Sequence, residues 1–80
     1  MKYEFELQGD FIKLGQILKA TGIADSGIMA KELIEENYVL VNGELENRRG
    51  KKIYPGDHIS VRLEEMEEIY VSQAAETEKF

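Results

Sequence analysis

A dense run of basic residues is the feature of this sequence best suited to chemistry. Four positive charges lie within five positions, at Arg48, Arg49, Lys51 and Lys52. Clustered cations bind polyanions without needing precise angles, and arginine adds bidentate contacts to phosphate oxygens and stacking on bases. Gly50 lets a partner approach the backbone closely. The run indicates a surface for phosphate groups, with a merely solvated loop as the alternative.

No catalytic or metal-binding pattern accompanies this run. The chain has no cysteine and one histidine, which excludes thiolate metal sites and histidine clusters. His58 follows Asp57 directly, and adjacent side chains on a strand point to opposite faces, so the two cannot form an oriented acid–base pair. Gly22 and Gly27 have the spacing of a phosphate-binding P-loop, but the Lys-Ser that must follow is missing. We therefore expect a protein that is not an enzyme and uses no metal or cofactor.

The distribution of charge matters more here than the total. The 80 residues include 16 acidic and 10 basic ones, for a net charge of −6, which taken whole opposes binding to a polyanion. Residues 64–80 hold six of the acids and one base, so they carry −5 and the other 63 residues only −1. The basic run therefore lies in a nearly neutral part of the chain. We expect the acids at 64–68 to form a solvated turn.

The length and hydropathy of the chain predict one small domain. Eighty residues bury a thin core, which leaves a monomer or a weak dimer as the expected state. No basic-then-apolar leader precedes the domain, and no apolar run approaches the roughly 20 residues that span a bilayer. These features predict a cytoplasmic protein that does not contact membranes.

The periodicity of apolar residues predicts the elements that position the basic run. Alternation over residues 3–7 indicates a strand, and helical spacing then begins at Phe11, with Asp10 as the expected N-cap and Gly22 as the stop. Asp25-Ser26 is expected to supply the cap of a second helix over about 26–37, with Tyr38 on its apolar stripe.

The rest of the chain reads as short strands joined by turns. Asn42-Gly43 predicts a tight hairpin, residues 55–57 suit a type II turn, and residues 69–71 could pair with the first strand. The predicted fold class is α+β, with two helices packed on a small, mostly antiparallel sheet. We expect the domain to span residues 1–73 and residues 74–80 to form a flexible tail.

Read together, the motifs resemble the S4 domain, a small RNA-binding module, over about residues 11–63. The family pattern of a basic residue and spaced leucines is similar to residues 13–18, KLGQIL. Its Ser-Arg-x-x-Ala-Arg-x-Leu-Ile helix resembles residues 26–34, SGIMAKELI, with Gly27 in place of the first Arg. Residues 39–43, VLVNG, and 56–61, GDHISV, look like two further signatures.

The resemblance is closer to the stand-alone bacterial S4 proteins of the YaaA/YbcJ-like group, in which Ser-Gly-x-Met-Ala-Lys and Asn-Arg-Arg-Gly-x-Lys recur. The resemblance implies the S4 fold, often called the alpha-L motif, in a cytoplasmic bacterial protein. It also implies binding to structured or ribosomal RNA and association with a ribosomal particle. RNA contacts are implied for the positions that match the family's helix and loop, namely Lys13, Lys31, Asn42, Arg48, Arg49, Lys51 and Lys52.

Two functions from different classes follow from these patterns. The first is a non-catalytic RNA-binding domain that grips the phosphate backbone through the second helix and the basic loop, with affinity that falls steeply with salt. The second is a protein-interaction module in which the same cations dock on an acidic partner surface. Gly27 in place of an arginine predicts weaker binding from the helix face than in the generic module.

Overall fold

A computed structural model describes residues 1–74, in which two strands are followed by two helices and then by five further strands. The elements in chain order are β1 (Lys2–Leu7), β2 (Ile12–Lys13), α1 (Leu14–Ala20), α2 (Gly27–Glu35), β3 (Val39–Val41), β4 (Glu44–Leu45), β5 (Lys52–Ile53), β6 (His58–Arg62) and β7 (Met66–Gln73). None of the helices within this range is long and apolar enough to cross a lipid bilayer.

The strands form one mixed sheet and one short ladder. The larger sheet has the order β1-β7-β6-β3-β4, in which β1 and β7 run parallel and the other neighbours run antiparallel. The ladder joins β2 to β5 antiparallel, with Ile12 opposite Ile53 and Lys13 opposite Lys52. The predicted α+β class with a mostly antiparallel sheet is confirmed, and the last strand does lie beside the first.

One hydrophobic cluster holds the helices and both sheets together. The apolar alternation of the strands and the helical spacing of α1 and α2 point their leucines, isoleucines and valines into this cluster. Its fully buried large side chains are Leu14, Ile17, Leu18, Ile34, Val39, Ile53, Ile59, Val61 and Ile69. Because α1 and β5 both contribute, the core fixes the basic run relative to the helices.

The start of α1 differs from the sequence prediction. The helix begins at Leu14, so Asp10 is not its N-cap and Phe11 lies outside the helix. The first helical amides instead donate to distant carbonyls, Leu14 N to Lys51 O at 2.8 Å and Gly15 N to Arg49 O at 3.0 Å. A local capping signal cannot show such partners, because they lie more than thirty residues away in the chain.

The second helix and the turns follow their local signals. Ser26 Oγ accepts a hydrogen bond from Met29 N at 3.1 Å, as predicted for the N-cap of α2. Asn42 and Gly43 have φ values of +53° and +86°, the left-handed pair that a type I′ hairpin requires. Tyr38 is the exception, because α2 ends at Glu35 and leaves this side chain exposed.

The acidic stretch is only partly a turn. Residues 63–65 connect β6 to β7, but the last strand begins at Met66 and includes Glu67 and Glu68. Tyr3 Oη donates to Glu67 Oε1 at 2.9 Å, and this hydrogen bond to a carboxylate raises the pKa of Tyr3. The predicted tail begins at Ala74, whose backbone N donates a hydrogen bond to Leu7 O at 3.0 Å. The rest of that tail, residues 75–80, lies outside the described residues.

Candidate functional site

The basic loop, residues 48–52, is tied to the start of α1 through its backbone. Besides the two hydrogen bonds from the Leu14 and Gly15 amides, Lys51 N donates to Arg48 O at 3.1 Å and closes a turn within the loop. The loop then continues into β5, which pairs with β2 just before α1. The loop carbonyls therefore satisfy helix amides that would otherwise lack partners, while the loop side chains remain available at the surface.

A groove of about 360 Å³ opens between this loop and the two helices. We call it the helix groove. Three cations line it, Lys13 at the start of α1, Lys19 in its last turn and Arg49 from the basic loop. Its other lining residues are Gly15, Gln16, Gly27, Ala30 and Gly50, so no carboxylate lines it within the described part of the chain. An acid-free groove with three cations favours an anionic ligand.

A second surface, the loop groove, is formed by the basic loop and Tyr54. It has a volume of about 440 Å³ and is lined by Arg48, Gly50, Lys51, Lys52 and Tyr54. Lys52 Nζ lies 4.8 Å from the centroid of the Phe11 ring, a cation–π distance. Cations of the basic loop therefore line both grooves.

Arg48 differs from the other loop cations because it has an internal partner. Its Nε donates to Glu46 Oε2 at 2.8 Å and its Nη2 to Glu46 Oε1 at 3.1 Å, while its backbone N also donates to Oε2 at 3.0 Å. The Arg48 side chain holds the pKa of the nearly buried Glu46 below its ordinary value, and the pKa of Arg48 is raised in return. The Arg48 side chain is still 70% exposed, and the pair uses two of the five guanidinium N–H donors.

Asn42 serves the hairpin turn. Its Nδ2 donates to Asp57 Oδ1 at 3.0 Å, and its Oδ1 accepts from His58 N at 2.9 Å. The residue also lines a groove of about 370 Å³ that contains Lys51 and Lys52 but also three acids, Glu44, Glu46 and Asp57. The structure therefore brings Asn42 close to the basic loop, with both ends of its amide engaged.

The predicted contacts thus divide by position. Lys13 and Arg49 meet in the helix groove, and Arg48, Lys51 and Lys52 in the loop groove. Lys31 is exposed on α2 but does not line either groove.

Sequence reasoning missed two lining residues of the helix groove, Gln16 and Lys19. Gln16 Oε1 accepts from Lys13 N at 3.2 Å at the start of α1. Gln16 and Lys19 are three positions apart in α1, and this spacing places them on one face of the helix. Lys13 precedes Gln16 by the same interval, so the spacing in the sequence was the signal that could have grouped these three residues.

The residues weighed for catalysis have separate structural roles. His58 Nε2 lies 3.1 Å from Glu68 Oε1, and its ring stacks on Tyr70 at 4.6 Å between centroids. Asp57 instead accepts from Tyr54 N at 2.7 Å, so the two neighbours engage different partners. Asp57 precedes β6, which begins at His58, so the turn and not the alternation of a strand sets the position of Asp57. Across residues 1–74, no group of three or more histidine or acidic side chains is placed to hold a metal ion.

Comparison with protein families matches residues 5–71 to the model described as the S4 domain. The probable ribosome maturation protein RlbA of Bacillus subtilis (strain 168) is 43% identical over 61 residues, which make up 76% of this chain and 86% of that protein. The small ribosomal subunit protein uS4 of Kosmotoga olearia is 28% identical over 67 residues, 84% of this chain but 32% of that longer protein.

A solved structure shows the same fold. The C-terminal domain of a tyrosyl-tRNA synthetase, determined in solution, aligns with a TM-score of 0.67 over 90% of this chain and 79% of that domain. The sequence identity is 23%, so this likeness concerns the fold alone.

Proposed function

Because the chain belongs to the S4 domain family, we propose that it is a non-catalytic protein that binds structured RNA. The names of its relatives support this proposal, since one is a probable ribosome maturation protein and another a protein of the small ribosomal subunit. Ribosomal RNA, free or in a particle under assembly, is the RNA that these names favour. Such a role places the protein in the cytoplasm.

The observation that carries the proposal is the helix groove. It joins cations from two distant parts of the chain, Lys13 and Lys19 from α1 and Arg49 from the basic loop, without an acidic lining residue among those described. A protein with a net charge of −6 needs such a local positive surface to approach RNA. Lys51 and Lys52 extend that surface beyond the loop.

We propose that these cations neutralise backbone phosphates and release counterions. Each neutralised phosphate contributes a slope of roughly −0.7 to −0.9 to the dependence of log affinity on log salt concentration. Lys31 adds a contact from the exposed face of α2, and Arg48 contributes the donors that its pair with Glu46 leaves over. Asn42 acts mainly by holding the hairpin next to the loop. Selectivity comes from RNA shape, because side chains cannot read the deep major groove of an A-form helix.

A salt titration of binding to a structured RNA, with matched variants, tests this mechanism. Arg49→Ala and Lys13→Ala each remove a groove cation and should lower affinity and reduce the salt slope by about one contact. Lys2→Ala removes an exposed cation of β1 that lines neither groove and is the matched control. Equal affinities and slopes for all three variants would contradict an RNA surface at the helix groove.

The RNA itself can be identified by crosslinking in cells. The tagged protein is crosslinked and the bound fragments sequenced, beside a folded variant with Arg48, Arg49, Lys51 and Lys52 all changed to Ala. Enrichment at defined ribosomal RNA positions, lost in the variant, is the expected result. If the variant and the unchanged protein give equal background crosslinking, and a protein still copurifies after nuclease treatment, the result would favour docking on an acidic protein partner.

A further inference from the structure

Two exposed aromatic side chains stand beside the basic loop without a role in the core. Phe11 is 39% exposed and Tyr54 is 47% exposed. Their ring centroids lie 6.1 Å apart and the ring planes are tilted by 51°. An exposed aromatic pair next to a run of cations is the combination with which proteins hold single-stranded nucleic acid.

The backbone holds these two rings in place. The ladder of β2 and β5 sets Ile12 opposite Ile53, and the same antiparallel register continues to Phe11 and Tyr54. Tyr54 N donates to Asp57 Oδ2 at 2.7 Å, and Asp57 N donates to Tyr54 O at 3.0 Å. Tyr54 is therefore the first residue of a turn in which both its backbone N and its backbone O are hydrogen-bonded. Its backbone has little conformational freedom left to lose when a ligand binds.

Tyr54 lies between two grooves of different charge. The loop groove that Tyr54 lines also contains Arg48, Lys51 and Lys52, with no acidic lining residue in the described range, and this groove favours a nucleotide. The groove of about 370 Å³ that Tyr54 also lines contains Glu44, Glu46 and Asp57, so a phosphate is expected only on the loop-groove side. Lys52 Nζ lies over the Phe11 ring at 4.8 Å, which occupies one face of that ring. Tyr54 is thus the aromatic surface still open to a ligand, while Phe11 supports it from the side.

We propose that Tyr54 stacks on an unpaired nucleobase of the RNA, with Lys51 and Lys52 on the phosphates that flank that nucleotide. A base inside a duplex has both faces covered by its neighbours, so only a bulged, looped or terminal base can present a face to Tyr54. This inference rests on the proposed function and narrows it. The preferred RNA is a helix interrupted by an unpaired nucleotide, with the helix on the groove cations and the extra base on Tyr54.

An abasic nucleotide provides the test, because it keeps the phosphate and removes the base. Binding is measured to three RNA hairpins, which are fully paired, carry a one-nucleotide adenine bulge, or carry an abasic residue in that bulge. The protein should bind the adenine bulge about tenfold more tightly than the abasic one. Tyr54→Leu should abolish this difference, and Tyr54→Phe should retain it because the ring is kept.

The outcomes separate this inference from the function on which it rests. If the protein binds all three hairpins equally and Tyr54→Leu changes nothing, the stacking role is overturned while RNA binding stands. If the protein binds none of the three hairpins with salt-dependent affinity, the proposed RNA-binding function itself is overturned. Circular dichroism of each variant confirms folding, which these exposed substitutions should preserve because the Tyr54 contacts to Asp57 are made by the backbone.

A direct signal comes from fluorescence, since the chain contains no tryptophan. In the Tyr54→Trp variant, all indole emission arises at this one position. Stacking on adenine should quench that emission when the bulged hairpin is added, and the abasic hairpin should leave it nearly unchanged at equal saturation. Equal quenching by both hairpins would overturn base stacking and leave only phosphate contact.

Discussion

Glu46 is the residue that links the charge of the basic loop to the stability of the fold. Its carboxylate is nearly buried and accepts three hydrogen bonds from Arg48, two from the side chain and one from the backbone. A carboxylate with these partners is stabilised in its ionised form. The pair therefore anchors the start of the loop and reduces the positive charge that Arg48 offers to a ligand.

We expect Glu46→Gln to destabilise the protein in a pH-dependent way. The pKa of Glu46 is lowered in the folded state, so its carboxylate stabilises the fold above the ordinary pKa of 4.5. That stabilisation is lost as the pH falls through the lowered value. The variant should lose about 1 kcal/mol at neutral pH, since water screens the exposed guanidinium. Urea denaturation at several pH values should show the deficit shrinking in acid.

The control for this prediction is Glu4→Gln, which changes an exposed carboxylate on β1. It should leave the free energy of unfolding nearly unchanged at every pH. A Glu46→Gln deficit that stays constant into acid would show that the loss comes from packing and not from the ionised pair.

Gly27 is the position where one side chain should strengthen binding. It is the first residue of α2, it lines the helix groove, and a Cβ placed there would meet nothing within 4 Å. Gly27→Arg should raise RNA affinity roughly threefold to tenfold at low salt and steepen the salt slope by about one contact. Filter binding or fluorescence anisotropy measures both, with the neutral Gly27→Gln as the control. The same affinity for both variants would place the RNA away from α2.

At the scale of elements, the start of α2 connects folding to binding. Ser26 caps the helix, and the next residue lines the helix groove. Ser26→Ala should cost about 1 kcal/mol of stability. Ser26→Asn and Ser26→Asp can both replace the cap, so both should restore stability. Only the aspartate adds a negative charge beside the groove, and it alone should weaken RNA binding.

Thermal melting and RNA titration of the three Ser26 variants check this expectation together. The asparagine and aspartate variants form the informative comparison, because they have nearly the same shape and differ in charge. Equal RNA affinity for these two variants would count against a phosphate beside the N-terminus of α2.

Elements with local signals were predictable from the sequence, and those fixed by distant partners were not. The Ser26 cap and the Asn42-Gly43 hairpin depend on residues within four positions of each other, so the sequence displays them. The start of α1 depends on carbonyls of Arg49 and Lys51, which no local pattern reveals. That is why the expected cap at Asp10 was wrong.

The same distinction applies to the candidate site. The basic run and Lys13 were found because charge and motif are visible in the chain. Lys19 was missed because its approach to Arg49 depends on how the loop packs against α1. The pairing of Phe11 with Tyr54 requires the register of β2 and β5, and Phe11 was instead expected on the apolar stripe of a helix.

At the scale of the whole molecule, two grooves beside the basic loop, the helix groove and the loop groove, have no acidic lining residue among those described, although Glu46 pairs with Arg48 and a third groove holds acids next to Lys51 and Lys52. The acids of the last strand engage other partners, Glu67 with Tyr3 of β1 and Glu68 with His58 of β6. The net charge of −6 therefore does not oppose phosphate binding at the grooves in the way that the total suggests.

The fold also has little stability to spare, because a chain of 80 residues buries a small core. Part of that core comes from β1, which pairs with β7. Leu7 at the end of β1 is 2% exposed. Leu7→Ala should cost about 2 to 4 kcal/mol, a large part of the total for a domain of this size. Urea denaturation should show the loss, with the neighbouring exposed Glu6→Ala nearly neutral. A small effect of Leu7→Ala would mean that β1 contributes little to the core.

The two hydrogen bonds that join the basic loop to the start of α1 are made by main-chain atoms, the amides of Leu14 and Gly15 and the carbonyls of Lys51 and Arg49. Main-chain bonds survive almost any exchange of side chain. The loop can therefore acquire a new set of recognition residues, at positions 49, 51 and 52, while its scaffold stays the same. Such a separation of scaffold from specificity makes the protein a suitable starting point for selecting variants against other RNAs, in evolution or in the laboratory.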